Sequence, residues 1–182
     1  VARALADLQR QVVQTEETLI LQEVGIYRYQ HPLDDSVAYR SELDRLRDQI
    51  KAMVKKDGGA ITASTTWQVN GSAAQGRKMV NDFSKLMLRA YNAEAESLVR
   101  TLKPYKLASA KDRLEKVAFA IEKLGVSMSI RVSPAYHLLR IRELELTADY
   151  LEKVAEEKER DREERERLRE ERKVEQEIER ER

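Results

Sequence analysis

Cysteine is absent from this chain. Disulfide bridges, thiolate metal ligands and thiol nucleophiles are therefore excluded, and a reducing, cytoplasmic compartment is compatible. Histidine is nearly absent: His31 and His137 are the only two, and neither stands at metal-ligand spacing from another imidazole. His137 falls on the apolar seam of a helical stretch and reads as a packed side chain. No Ser-His-Asp pattern, nucleophile elbow or phosphate-binding loop occurs. We therefore read no catalytic constellation, metal site or cofactor site in these residues. No apolar run approaches the roughly 20 residues that span a bilayer, and no signal-peptide pattern occurs. Aromatics make up 5% of the chain against 37% for charged residues, which confines any core to the middle of the sequence.

Charge is what the chain has in abundance. From Glu156 to Arg182 only Leu168, Val174, Gln176 and Ile178 are uncharged. Opposite charges recur at helical neighbour spacing, as in Glu156 and Arg160, Asp161 and Arg165, or Glu163 and Arg167. Each such pair contributes a few tenths of a kcal/mol, and many in series hold a solvated helix without a core. Residues 156–182 are thus expected to form a charged helical spacer. That spacer, with Val1 in place of an initiator methionine, leads us to expect a segment of a longer protein. The net charge of +1 hides an asymmetry. Residues 1–71 are nearly balanced, residues 72–142 carry 14 basic against 6 acidic side chains, and residues 143–182 carry 11 against 17. The basic block admits a polyanion partner; the plainer reading is that its cations solvate long helices.

Hydrophobic periodicity orders the chain. Leu5, Leu8, Val12, Thr15 and Leu19 alternate three and four apart over 2–22, a heptad seam that requires a partner helix. Gly25 stops it, and residues 25–30 read as extended. Asp34-Asp35-Ser36 start a helix to about Lys56 with the stripe Tyr39, Leu43, Leu46, Ile50 and Met53. Residues 61–70 alternate as a strand closed by Asn70-Gly71. A helix over 73–102 carries Met79, Val80, Phe83, Leu86, Met87, Ala90 and Leu98 as its apolar stripe and ends at Pro104. Another runs over 109–124, capped by Ser109 and stopped by Gly125. Met128, Ile130 and Val132 share one side of a short strand. The last helix starts near Pro134 with the seam His137, Ile141, Leu144, Ala148, Leu151 and Ala155, and its packing should cease near 156. The fold class expected is mainly α with a few short strands near 25–30, 60–70 and 127–132. The domains expected are a coiled-coil helix over 1–24, an α-rich domain over 25–155 and the spacer. Leu5, Leu8, Val12, Leu19, Ile141, Leu144 and Leu151 are the candidate oligomerisation residues, making a homo-oligomer the expected state.

Gly25-Ile26-Tyr27 spells half of a GIY-YIG nuclease signature, but residues 28–40 hold no second tripeptide. Trp67 on the apolar side of a strand reads as core. Asn92 inside a helix answers a hydrogen-bonding need, and Glu94 reads as an ion-pair partner across helices. Together, Trp67-x-Val69-x-Gly71-Ser72, Lys78-Met79 and Tyr91-Asn92-x-Glu94 resemble a bacterial domain of unknown function found upstream of GIY-YIG-type nuclease domains. Arg142-Glu143-Leu144-x-Leu146, Tyr150, Lys153, Glu157-Lys158 and Arg169-Glu170-Glu171-Arg172 are similar to that family's charged connector. The resemblance covers roughly residues 22–182. It implies an anti-phage nuclease architecture in which this domain recognises a phage or host protein and positions the nuclease, acting in the cytoplasm or at the inner face of the membrane. Trp67, Gly71, Ser72, Tyr91, Asn92 and Glu94 are its signature. Two alternatives stay open. One is direct DNA binding through Arg77, Lys78, Lys85, Arg89, Lys103, Lys106, Lys111 and Arg113; the other is a coiled-coil scaffold.

Overall fold

Asp35 opens the first helix of the computed structural model, which describes residues 27–181. Its carboxylate accepts from the Ala38 amide at 2.8 Å, satisfying a donor that the first turn leaves free. Helix α1 spans Ser36–Lys55 and buries Tyr39, Leu43, Leu46 and Ile50, the stripe read from the sequence. The coiled-coil helix expected over 1–24, with Leu5, Leu8, Val12 and Leu19, lies outside the described residues, as do Gly25 and Ile26.

Strand β1, Ile61–Thr62, pairs antiparallel with β2, Arg131–Val132, placing Ile61 opposite Val132. The Ser64 amide bonds to the Met128 carbonyl at 2.8 Å, and the Ser133 amide to that of Ala60 at 2.9 Å. The strand expected over 60–70 is thus cut to two residues. The Ser64 hydroxyl accepts from the Thr66 amide at 3.3 Å, a local bond that competes with a ladder. The facing segment is also curled, with a 3-10 turn at Val126–Met128 and Ser129 left-handed at φ 52°. Residues 27–30 form no strand. Beyond Trp67, one isolated bridge joins Val69 to Ser72 across Asn70 and Gly71, at φ 51° and 76°. Positive φ at both is the signature of the tight turn that Asn-Gly favours.

Helix α2 spans Ala73–Thr101 and buries Gly76, Val80, Ser84, Tyr91, Ala95 and Leu98. This corrects the stripe read from the sequence, because Met79, Phe83, Leu86 and Ala90 lie on the solvent side. The small residues decide the face. The Trp67 carbonyl passes within 2.0 Å of where a side-chain carbon at Gly76 would sit, so the chain closes on α2 only where that carbon is missing. A 3-10 turn at Pro104–Lys106 leads directly into α3, Leu107–Leu124. The expected cap, Ser109, therefore lies inside α3, whose start has no side-chain cap.

Helix α4 spans Pro134–Glu181 and is the axis of the fold. Helix α1 packs along it, and α2 and α3 close the other sides. The main core joins Tyr39, Leu43, Leu46 and Ile50 to Tyr91, Leu98, Leu114, Tyr136, Ile141, Leu144 and Leu146. Val80, Met128 and Ile130 form a second cluster with Trp67 against it. The molecule is mainly helical, with four α-helices and one two-stranded antiparallel sheet among the described residues. Ala155 is already exposed, and every residue from Lys158 onward is exposed. Arg162 pairs there with Glu159 at 3.6 Å and Glu166 at 3.4 Å, and Arg167 with Glu171 at 3.8 Å. These pairs differ from those quoted from the sequence: two are four apart, as expected, and the Arg162–Glu159 pair is three apart. No described helix is long and apolar enough to cross a membrane.

Candidate functional site

Three groupings of polar side chains stand out. The first contains the Tyr91-Asn92-x-Glu94 signature. Tyr91 Oη lies 2.7 Å from His137 Nδ1, and Tyr136 Oη donates to Asn92 Oδ1 at 2.7 Å. Arg140 reaches the Asn92 carbonyl at 3.5 Å and pairs with Glu143 at 2.7 Å, both side chains being buried. Arg47 approaches Glu143 at 3.6 Å, and Arg113 binds Glu94 at 2.5 Å. Burial raises the pKa of Tyr91 and Tyr136 and lowers that of His137, because a charged form there loses water. Asn92 thus ties α2 to α4 and Glu94 ties α2 to α3. Trp67, Gly71 and Ser72 build the entrance to α2: Trp67 packs on Val80 and Met128, Gly71 takes the turn, and Ser72 Oγ accepts from the Gln75 amide at 3.3 Å.

The second grouping was missed in the sequence. Residues 27–36 lie as a strap along α4. Asp149, with no exposed surface, accepts from Tyr27 Oη at 2.7 Å, the Gln30 amide at 3.0 Å and the His31 amide at 2.7 Å. Glu145 binds His31 Nε2 at 2.9 Å and Lys111 Nζ at 2.5 Å. Burial would raise Glu145, but its bonds to Lys111 and His31 outweigh that and hold it below the usual carboxylate range. Glu157 accepts from the Ser36 hydroxyl at 2.6 Å and amide at 2.9 Å, which lowers its pKa. The Lys153 ammonium sits 4.9 Å above the Tyr29 ring, and Tyr29 stacks on Tyr39. The readable signal was Asp149 placed directly after Ala148 on an apolar seam, since a carboxylate buried there needs donors.

The third is the solvent face of α2. Arg77, Lys85 and Arg89 are exposed, and Lys78 is held by Asp82 at 2.8 Å. Val69, Gln75, Lys78, Met79, Asp82 and Phe83 line an open cleft of about 360 Å³. The other cations proposed for DNA are dispersed. Lys111 and Arg113 are held by Glu145 and Glu94, Lys106 sits 5.9 Å above the Tyr105 ring, and Lys103 is exposed. Of the candidate oligomerisation residues, Ile141 and Leu144 are packed in the main core and Leu151 is partly buried against it.

The chain is thus a helical domain that ends in a solvated, ion-paired helix, with its polar groups knitting helices together. Residues 36–155 match the SNIPE associated domain, and the chain belongs to that family. This is a domain that accompanies SNIPE nuclease proteins. The match stops where α4 leaves the core. No curated protein and no solved structure matches the chain.

Proposed function

We propose that this chain is a non-catalytic recognition and assembly module of a bacterial GIY-YIG-type nuclease in anti-phage defence. It recognises a phage or host protein at the inner face of the membrane and holds the nuclease at a set distance. The observation that carries this reading is α4. One helix supplies the core layer of Tyr136, Leu144 and Leu146, then continues fully exposed to Glu181, so a domain joined beyond it stands off by about 40 Å at 1.5 Å per residue. In the nuclease-bearing protein, residues 160–175 are replaced by a Gly/Ser linker of equal length. Cleavage of free DNA is then unchanged and protection against infection falls. Protection that survives the flexible linker refutes the positioning role. Pull-down against phage injection proteins and host membrane proteins tests recognition directly.

A second reading, DNA binding through the phosphate backbone, is favoured by Arg77, Lys85 and Arg89 exposed on one helix. Three phosphate contacts give a slope of about −3 in log affinity against log salt. Affinity that is flat in salt, or unchanged in Lys85→Glu/Arg89→Glu, removes this reading.

A further inference from the structure

The solvent face of α2 carries an apolar seam that the described residues leave partly uncovered. Met79, Phe83 and Leu86 are 38%, 40% and 63% exposed, and Ala90 and Ala93 continue the line, both exposed. The steps between these five are four, three, four and three, the spacing that keeps a stripe facing a partner helix. Large exposed side chains in register are unlike the scattered apolar residues of an ordinary surface. The seam on α4 is already filled from within the domain, since Ile141 and Leu144 belong to the main core.

The chain carries one more heptad seam, outside the described residues. Leu5, Leu8, Val12, Thr15 and Leu19 step by three, four, three and four. Each seam spans 15 residues, about 21 Å as helix. Read backwards, the second has the same steps as the first. An antiparallel alignment puts Leu19 on Met79, Thr15 on Phe83, Val12 on Leu86, Leu8 on Ala90 and Leu5 on Ala93. Large side chains then face smaller ones in four of five layers, the alternation that fills space between helices. Charge points the same way. Residues 1–24 hold two arginines against four carboxylates, whereas residues 73–90 hold four cations against Asp82 alone. This direction lays Glu16, Glu17 and Glu23 along the end with Arg77 and Lys78, and Arg3 along the end with Glu96. Two side chains meet their own sign, Arg10 near Arg89 and Glu16 opposite Asp82, and Asp82 is already paired with Lys78. A second copy of α2 would instead bring two cationic faces together, which like-charge repulsion opposes.

We infer that the Met79–Ala93 face of α2 is the docking surface for the heptad segment Leu5–Leu19 of this chain, antiparallel, from the same copy or a second one. The absence of cysteine makes the test clean. Leu8→Cys/Ala90→Cys is prepared in the full chain beside Leu19→Cys/Ala90→Cys and Ala90→Cys alone, and each is treated with a short bis-maleimide. Bridging of the first variant well above the other two supports the docking, and its concentration dependence tells one copy from two. Arg77→Glu added to that variant lowers the bridged fraction at low salt more than at high salt. Preferential bridging from Leu19→Cys overturns the direction. Ala90→Cys bridging to itself places a second α2 on the seam and overturns the proposal, as does no bridging in a variant whose helical circular dichroism is intact.

Discussion

Asp149 is the side chain on which most of the strap depends. It is fully buried and takes three donors, two of them backbone amides. Charge-assisted bonds of this kind are worth about 1.5–3 kcal/mol each when a partner is lost. Asp149→Asn turns an amide NH2 toward at least one of those donors. We expect it to lower unfolding stability by about 2–3 kcal/mol in urea titration, with faster amide exchange at Gln30 and His31. His137 sets a pH dependence. Burial holds its pKa below the ordinary 6.5, so the unfolded chain binds a proton more readily than the folded one. The neutral ring's stabilising contribution is complete above the unfolded pKa and is lost as pH falls through 6.5 toward the folded value. Melting temperature should therefore drop between pH 7.5 and 5.5, and His137→Gln should flatten that drop. An equal drop in the variant would place the titration elsewhere.

At the scale of elements, periodicity located α1 to within a residue, because its stripe and its Asp35 cap agree. It located α2 as well but drew its buried face too broadly: Val80, Met87 and Leu98 pack inward, whereas Met79, Phe83, Leu86 and Ala90 do not. Counting bulk favoured Met79, Phe83 and Leu86, whereas the packing is decided by the missing side chain at Gly76 and by Ser84 and Ala95. No hydrophobicity count registers that kind of information. The strands were overextended for a related reason: alternation in one segment cannot reveal that its partner curls at Ser129. Gly76→Ala tests the packing argument. Alanine would gain up to about 1 kcal/mol in an unconstrained helix, yet here its methyl meets the Trp67 carbonyl at 2.0 Å. We expect a net loss of stability and a shift in Trp67 fluorescence. A more stable variant would show that the loop yields.

Across the whole molecule, the core and the charged helix are separable. The Glu94 ion pair and the hydrogen-bonding role of Asn92 were legible from residue type and position, whereas the strap was not, because its donors are mostly backbone amides far from Asp149 in sequence. Truncation after residue 160 removes only exposed side chains. It should leave unfolding free energy within about 0.5 kcal/mol while the helical circular dichroism signal falls in proportion to the residues removed. A cooperative loss of stability would mean that the charged stretch contributes to the core.

The strap has a mechanical consequence. It grips α4 at Glu145, Asp149 and Glu157, about 18 Å of helix at 1.5 Å per residue, while the exposed run from Lys158 to Glu181 is about 35 Å. The helix is therefore a lever with a short input arm and a long output arm. A tilt of about 10° imposed at the strap sweeps the far end through about 6 Å, more than one helical pitch.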